Sequence, residues 1–326
     1  MNQISLAQSG FELAHKRTRK RVFLDEMDQV IPWSDLLALI APHAPAGKTG
    51  RPPFALQTML RIHLLQQFFG HSDPAMEEAL HDIPLYREFA HLDAGLTRLP
   101  EMNITHRRIV RTPYGLPSSP LMMGKLGSHE IMFIARHGLN HTLSPHEINY
   151  RANIWALHSA KADHIISVAT VAGLNEAHEP GSLIVPDNII DYTSGRACTF
   201  FEGSSQEVVH IDFTHPYDHE LRLNILQHAE QQGTAVVSRG VYGCIQGPRL
   251  PTLAELKKYR RDGVDVIGMT GMPEAVLARE VGLPYAHLCG VIGIAGVNGQ
   301  ADNSPDFRSR QTHQAIETIR RLLVDL

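Results

Sequence analysis

The sequence contains few cysteines, and they form no pairing pattern. Its 326 residues include only Cys198, Cys244 and Cys289. Their odd number and wide separation argue against a disulfide framework and are typical of a reducing compartment. No Cys-x-x-Cys pair is present, which argues against a cysteine-based zinc site. We therefore expect a cytoplasmic protein without disulfide bonds.

Long apolar runs and an excess of positive charge are also absent. The apolar stretch LCGVIGIAGV at 288–297 is far shorter than the roughly 20 residues of a membrane span. The first 21 residues lack the apolar core of a signal peptide. The formal net charge of −4 argues against a surface that binds nucleic acid throughout. The composition predicts no membrane segment and no strong DNA binding.

Twenty histidines raise the question of a metal site. A zinc-protease helix requires His-Glu-x-x-His, and neither HDIPLYREFAH nor HEINY contains it. The segment PAGKTG resembles the end of a nucleotide-binding P-loop, but Pro42 stands where that motif needs its first glycine. We therefore expect neither a resident metal nor a cofactor.

Residues 1–100 have the pattern of a small all-helical domain. WSDLLALI, RPPFALQTMLRIHLLQQFFG and SDPAMEEALHDI carry apolar residues at helical spacing. We expect Ser34 and Asp73 to cap two of these helices, with Pro74 at a first helical position. The basic cluster HKRTRKR at 15–21 has two interpretations, a solvated arm or an arm that contacts DNA phosphates.

Three segments of this half resemble a known family. These segments are TRKRVFLDEMDQVIPW, GRPPFALQTMLRIHLLQQFFGHSDPAMEEALHDI and LYREFAHLD. Through them, residues 8–100 resemble the N-terminal domain of bacterial insertion-sequence transposases of the DDE class. That domain is implied to help bind the ends of the element, ahead of a nuclease whose carboxylates hold metal ions. Nothing after residue 100 resembles the nuclease, and without those carboxylates the metals cannot be positioned. Transposition is therefore not the expected activity.

From residue 103 onward, strands alternate with helices. EIMFIARHG, HIISVATVAG and VDVIGMTG have the pattern of strands. TLAELKKYRRDG is a helix with a capping box formed by Thr252 and Glu255, and it ends at Gly263. A second helix is expected to begin at Ser144 and Pro145. The alternation predicts one α/β domain over 103–326, with helices on both faces of the sheet.

Polar residues follow two of the predicted strands. ARHG supplies Arg136 and His137, and GMTGMPEA supplies Met269 and Thr270. Ligands of α/β sheets gather at strand ends, and a guanidinium, an imidazole and a hydroxyl together suit an anion. Taken alone, the residues also allow another interpretation, in which Arg136 pairs with a carboxylate and His137 lies in a surface turn.

The second half also resembles a known family. Four segments carry the resemblance: NYRANIWAL, PGSLIVPDNIIDYTSGR, HIDFTHPYD and VYGCIQGPRLPTLAELKKYRRDGVDVIGMTGMPEAVLARE. Through them, the stretch at about 105–298 resembles the trimeric nucleoside phosphorylases. The similarity is greatest to the branch acting on 5′-methylthionucleosides such as methylthioinosine. It implies a mixed sheet flanked by helices, a homotrimer, and phosphorolysis of a purine nucleoside. Phosphate is then a co-substrate, and no covalent nucleophile is needed.

The same resemblance implies roles for individual residues. Four residues are implied to bind phosphate: Arg136, His137, Thr170 and Thr270. Met269 would pack under the ribose and Gln246 would lie near the purine. His210 would reach the site of a neighbouring subunit.

The sequence departs from this family in two places. The family begins with a strand that ends in a Gly-Gly-Ser/Thr-Gly phosphate loop, and transposase-like sequence stands in its place here. The family also carries an Asn or Asp that contacts the purine, and this chain has Gly293 at that position. No catalytic residue is therefore assigned. Asn298 and Asp302 follow downstream, and the sequence does not place them in the site. Three interpretations stay open: a phosphorylase of purine salvage with impaired activity, a DNA-binding transposase remnant with an inert tail, and a non-functional fusion that retains a fold.

Overall fold

The structure is a computed structural model. It describes residues 18–43, 56–90, 99, 102–139, 141–174, 178–203, 207–296, 305–324 and 326. Predictions for the start of the basic cluster at 15–17, for Asn298 and for Asp302 lie outside the described residues.

The first part of the chain is helical, as predicted. Its elements are α1 (Arg19–Val30), α2 (Trp33–Ile40), a short 3-10 helix (Ala41–His43), α3 (Leu56–Phe69), α4 (Asp73–Asp82) and α5 (Pro84–Phe89).

The caps of these helices differ from the predicted ones. Pro32 precedes α2, so Ser34 lies inside the first turn and does not cap the helix. Ser72, not Asp73, caps α4 and accepts a hydrogen bond from the Ala75 amide. Both predictions were wrong by one or two residues. Helix α2 starts after Pro32 and has no side-chain cap, whereas at α4 two adjacent polar residues suit the cap and backbone geometry selects Ser72.

A small apolar core holds the helical part together. Leu24, Leu65, Met76, Tyr86 and Phe89 are among its buried members. Buried residues of α1, α3, α4 and α5 meet in this cluster, and α2 adds only the partly buried Trp33. Such packing stabilises short helices that are marginal in isolation.

The second part contains all the described strands and five further helices. The strands are β1 (Asn103–Arg108), β2 (Leu121–Leu126), β3 (His129–Phe133), β4 (Ile165–Gly173), β5 (Leu183–Ile184), β6 (Asn188–Asp191), β7 (Val236–Val237), β8 (Val241–Cys244), β9 (Val266–Gly268) and β10 (Tyr285–Ile294). The helices are α6 (Tyr150–Ser159), α7 (His219–Gln231), α8 (Leu253–Arg261), α9 (Gly271–Glu280) and α10 (Pro305–Val324).

The strands form two sheets. A seven-stranded mixed sheet has the order β6-β8-β9-β4-β10-β5-β7, and an antiparallel sheet has the order β1-β2-β3. The predicted α/β class, with a mixed sheet flanked by helices and a helical part before it, is confirmed. The capping box of Thr252 and Glu255 at α8 is also confirmed. The helix expected from Ser144 begins only at Tyr150, because the Asn149 side chain accepts a bond from the Ala152 amide and caps it.

The central strand β4 is apolar on both faces. Ile165 and Val171 belong to a core cluster that also contains α6 and α9 residues. Ile166 and Val168 pack against a second cluster, which includes residues of α7 and α10. Because helices cover both faces, the strand reads as a nearly continuous apolar run. No helix in the described part of the chain is long and apolar enough to cross a membrane.

The switch from helical to alternating pattern near Pro100 predicts a boundary between 1–100 and 103–326. Limited proteolysis is therefore expected to cut first between residues 94 and 104 and to leave a fragment that begins close to residue 103. Mass spectrometry of the early fragments checks this expectation. A protected junction, with first cleavage elsewhere, would contradict the boundary.

Candidate active site

One large cavity lies against β4 and brings most of the predicted site residues together. Its volume is about 1000 Å³. Six of the eight predicted residues line it: Arg136, His137, Thr170, Met269, Thr270 and Gly293. They come from the turn after β3, from β4, from the end of β9 and from β10, so the sheet brings together positions that are far apart in the sequence.

Arg136 lies at the centre of a buried hydrogen-bond network. Its Nε donates to Glu274 Oε1 at 2.7 Å, and its Nη2 donates to Ser167 Oγ at 2.6 Å. Nη1 donates to Thr270 Oγ1 at 3.1 Å, and both terminal nitrogens lie 3.3 Å from the Val168 carbonyl oxygen. The side chain is only 14% exposed. The Nε and Nη2 donors are therefore already used, and the Nη1 edge is the part that can exchange its long bonds for a ligand.

Glu274 is the carboxylate of this network, and sequence reasoning missed it. Besides Arg136, it accepts hydrogen bonds from Ser167 Oγ at 2.6 Å and from the Tyr285 hydroxyl at 2.8 Å. Burial would raise the pKa of Glu274, but the nearby Arg136 and these donors lower it below the usual range. Burial would likewise lower the pKa of Arg136, but Glu274 raises it above the usual value. Both groups are thus charged at neutral pH.

The interpretation that Arg136 pairs with a carboxylate thus describes part of its surroundings. It does not compete with a ligand role, because the pair leaves Nη1 at the cavity. Glu274 gave no signal in the sequence. An acidic residue in the first turn of a helix normally interacts with the helix dipole at the surface.

His137 is held in the turn after β3. Its Nδ1 lies 2.8 Å from the Leu143 carbonyl oxygen, and its ring stacks on His141 with centroids 4.5 Å apart. Burial, with the charge of Arg136, lowers the pKa of His137 to about 4. The ring is therefore neutral at pH 7, and since Nδ1 must donate to the carbonyl, Nε2 is an acceptor.

Thr270 stands at the N-terminus of α9. Its side chain makes no capping bond, and its Oγ1 instead accepts from Arg136. The hydroxyl proton is left to donate into the cavity. A helix N-terminus also favours negative charge. Thr270 and Arg136 together form a polar, donor-rich end of the cavity, where Glu274 balances the charge of Arg136.

Arg196, which the sequence analysis did not select, fixes the backbone next to the cavity. Its Nη1 donates to the carbonyls of Met269 and Met272, at 2.9 and 2.6 Å, and its Nη2 donates to Gln246 at 2.8 Å. Met269 also packs against Gly247, where a Cβ would come within 2.5 Å of its sulfur. The partners of Arg196 are mainly backbone carbonyls, which every residue provides. Its role therefore leaves no recognisable motif in the sequence.

Two predicted residues do not line this cavity. Gln246 exchanges hydrogen bonds with the backbone of Ser194, both at 3.1 Å. His210 is exposed in the irregular segment before α7. Gly293, by contrast, lies in β10 beside Ala172, at a local irregularity of the strand register. Among the described residues, no cluster of three or more His, Cys, Asp or Glu side chains could hold a metal ion.

Comparison with known proteins gives matches for both parts of the chain. Residues 95–326 match the model of the Phosphorylase superfamily. Residues 11–108 match that of a transposase domain, DUF772. The two ranges overlap between residues 95 and 108.

Relatives in sequence and in structure agree with the first match. A probable S-methyl-5′-thioinosine phosphorylase of Pseudomonas syringae pv. tomato is 49% identical over 201 residues, which cover 62% of this chain and 82% of that protein. A 6-oxopurine nucleoside phosphorylase of Pyrococcus furiosus is 42% identical over 213 residues, covering 64% of this chain and 79% of that protein. The structure of a double mutant of the adenosine/methylthioadenosine phosphorylase of Schistosoma mansoni, with adenine, superposes with a TM-score of 0.67 at 28% identity, covering 71% of this chain and 87% of that one. On these findings, the chain belongs to the phosphorylase superfamily.

Proposed function

We propose that the chain catalyses phosphorolysis of a purine nucleoside, with S-methyl-5′-thioinosine as the preferred substrate. The observation that carries the proposal is the donor-rich end of the cavity, where Arg136, His137 and Thr270 converge. The names of the relatives from Pseudomonas and Pyrococcus support the same reaction type.

In this proposal phosphate binds at the donor-rich end of the cavity. Arg136 contributes its Nη1 edge and Thr270 its hydroxyl, with Thr170 beside them. A charge-assisted hydrogen bond from a guanidinium is stronger than a neutral one. Neutral His137 accepts at Nε2 the hydrogen bond from the protonated oxygen of hydrogenphosphate, because its Nδ1 is used by Leu143. The site thus selects a phosphate that still carries a proton.

The reaction joins a phosphate oxygen to the anomeric carbon of the ribose. The carbon–nitrogen bond to the purine breaks, and its electron pair leaves with the purine, which takes up a proton. Charge develops on the sugar and on the base, so positioning and electrostatics supply most of the catalysis. Met269 packs under the ribose. Gln246 does not line the cavity, so it would contact the purine only after giving up its hydrogen bonds to the Ser194 backbone. No cofactor takes part.

The proposal also covers the oligomeric state of the protein and its cellular compartment. We propose a homotrimer in which His210 reaches a neighbouring subunit's site, in accord with its exposed position in this chain. We also propose a cytoplasmic enzyme, because its substrates are small metabolites and its three cysteines are free.

A phosphate-dependent assay with methylthioinosine, inosine and methylthioadenosine tests the proposal. We expect release of free purine only when phosphate is present, fastest with methylthioinosine. The rate should be low, because Gly293 supplies no side chain to the purine. Purine release independent of phosphate, or none from any of the three nucleosides, would contradict the proposed function.

Gly293→Asn is expected to raise the rate of phosphorolysis. Side-chain help to a departing group contributes about 10²–10⁴-fold, and glycine offers none. Measurement of kcat with methylthioinosine checks the gain. Gly293→Ala is the matched control, since it adds a Cβ without a polar group and should not raise kcat. An equal rise in both variants, or none in Gly293→Asn, would contradict a missing purine contact at this position.

Strong DNA binding by the helical part is not expected. Lys20 of the basic cluster donates to the Tyr86 hydroxyl at 3.2 Å and lies over the Phe69 ring, and Arg21 lies 4.0 Å from Asp25. Cations engaged in this way are less available to phosphates. A gel-shift at physiological salt should give no more than nonspecific affinity, about 10⁻⁴–10⁻⁶ M. Tight, sequence-dependent binding would favour the transposase-remnant interpretation instead.

A further inference from the structure

Arg196 is half-buried in the irregular segment that follows β6, and its guanidinium donates to neutral oxygen atoms. Its Nη1 donates to the carbonyls of Met269 and Met272, at 2.9 and 2.6 Å, and lies 3.2 Å from the Tyr150 hydroxyl. Its Nη2 donates to the Gln246 carbonyl at 2.8 Å. Hydrogen bonds from a charged donor are stronger than those from a neutral one, so one side chain holds three backbone carbonyls firmly.

Two of these carbonyls lie on either side of Thr270 in the chain. Met269 precedes it directly, and Met272 follows within the first turn of α9. The backbone of Met272 is not helical, with φ −117° and ψ 140°, so its carbonyl points away from the helical ladder and needs a donor elsewhere. Arg196 supplies that donor from a distant part of the chain.

The other side of the same segment is held by β8. The Thr270 amide donates to the Tyr242 hydroxyl at 3.3 Å, and the Met272 amide donates to the Cys244 sulfur at 3.2 Å. Both β8 residues are fully buried. With its amides held by β8 and its carbonyls held from the opposite side, the segment has a fixed position. That position sets the direction of the Thr270 hydroxyl, which lies 3.1 Å from Arg136 Nη1 at the donor-rich end of the cavity.

The turn that carries Arg196 is itself held in place. The Gln246 side chain exchanges two hydrogen bonds with the Ser194 backbone, both at 3.1 Å. Gly195, between Ser194 and Arg196, has φ +69°, a left-handed conformation that glycine adopts without strain. The guanidinium also lies over the Tyr150 ring, 5.5 Å from its centroid. These contacts present the guanidinium in one orientation.

We propose that Arg196 is a positioning residue for phosphate. It acts through Thr270: by holding the carbonyls of Met269 and Met272, it directs the Thr270 hydroxyl towards a phosphate oxygen. The inference deepens the proposed function and rests on it in one respect, namely that phosphate binds at the donor-rich end of the cavity. Arg196 does not line the cavity, so its loss should weaken phosphate binding without removing any phosphate ligand.

Arg222 offers a matched control elsewhere in the chain. It is also a buried arginine that donates to three backbone carbonyls, those of Val185, Pro186 and Ser238, at 3.3, 2.9 and 2.6 Å. None of these residues lines the cavity. Replacement of either arginine with methionine keeps a long, flexible side chain and removes the donors. Both variants should lose stability, but only Arg196→Met should affect phosphate.

Calorimetric titration of the full chain with inorganic phosphate tests the inference. Loss of one neutral hydrogen bond lowers affinity about fivefold, so Arg196→Met should raise the phosphate dissociation constant about fivefold and Arg222→Met less than about twofold. Arg196→Lys keeps the charge but not the planar donor geometry, and should bind phosphate about threefold more weakly than the native chain. Circular dichroism checks that each variant is folded. If Arg196→Met does not fold, Arg196→Lys and Arg222→Lys give the same comparison.

A double-variant cycle with Thr270→Val shows whether Arg196 acts through the hydroxyl. Valine keeps the shape of threonine without the hydroxyl, so Thr270→Val alone should also weaken phosphate binding about fivefold. In that background, the Arg196 variant should weaken binding further by less than about twofold, because the hydrogen bond that it positions is already lost. A residue that attracts phosphate by its charge alone would instead give independent effects that multiply.

Equal effects of the Arg196 and Arg222 variants would show a general loosening of the fold and overturn the inference. Full affinity in Arg196→Lys, or effects that multiply in the cycle, would overturn it too, since charge and not position would then be the cause. A native chain that binds no phosphate would have the same consequence. Because binding is measured without a nucleoside, the expected pattern together with no purine release would contradict the proposed phosphorolysis and leave this inference supported.

Discussion

Arg136→Ala is expected to lower the free energy of unfolding by about 3–5 kcal/mol, because it leaves the Glu274 carboxylate buried and unpaired. The carboxylate is 7% exposed, and the remaining donors are the hydroxyls of Ser167 and Tyr285. Urea unfolding at pH 7 measures the loss. The same variant should use phosphate far less well, since removing a charge-assisted hydrogen bond costs about 1.5–3 kcal/mol.

The pH dependence of this variant gives a further check. In the native chain the pKa of Glu274 is lowered, so its contribution to stability is present above its unfolded pKa and is lost as pH falls. Without Arg136, burial should raise that pKa, and the folded state then gains from protonation as pH falls. The stability difference between variant and native chain should therefore shrink from pH 7 to pH 5. A constant difference would contradict a buried ion pair.

A double variant separates stability from phosphate binding. Replacing a buried ion pair with apolar residues of similar size is often neutral or stabilising, so Arg136→Met with Glu274→Leu should recover most of the lost stability. It should not recover phosphate use. Arg136→Lys keeps a charge but not the planar geometry, and should lie between the native and double-variant activities. Full phosphorolysis by the folded double variant would show that phosphate binds elsewhere.

Much of the fold could be predicted from local patterns. The apolar run around Val168 and the capping box of Thr252 report on interactions that are close in sequence, and both have their expected structures. The helix near Asn149 was misplaced because Ser144, Pro145 and Asn149 each suit a helix start. Local chemistry limited the alternatives there, but tertiary packing selected among them.

The candidate site was predictable only in part, for the same reason. Arg136 and Thr270 stood out because each follows an apolar strand. Their partner Glu274 looked like any helix residue, and Ser167 looked like a small residue in a strand. Their contacts join positions more than 100 residues apart. No spacing rule connects such positions, since the sheet order brings them together.

The folded chain is expected to lose stability steeply as pH falls from 6.5 towards 4. Burial, together with the charge of Arg136, lowers the pKa of His287 to about 3, and His137 has a pKa of about 4. In that interval the unfolded chain binds protons at these two residues and the folded chain does not. Stability is therefore complete above pH 6.5 and decreases by about 1.4 kcal/mol per pH unit for each histidine. Urea unfolding at several pH values measures the slope.

His287 gives the sharper test, since it is fully buried beside Tyr242, with ring centroids 4.7 Å apart. Neither ring nitrogen has a hydrogen-bond partner in the described part of the chain, so protonation would place an uncompensated charge in the core. His287→Phe keeps an aromatic ring and removes the titration, and should reduce the slope by about 1.4 kcal/mol per pH unit. The exposed His158, changed to Gln, is the matched control and should leave the slope as it is. An unchanged slope in His287→Phe would mean that His287 can be protonated within the folded chain, through an opening of the core around Tyr242.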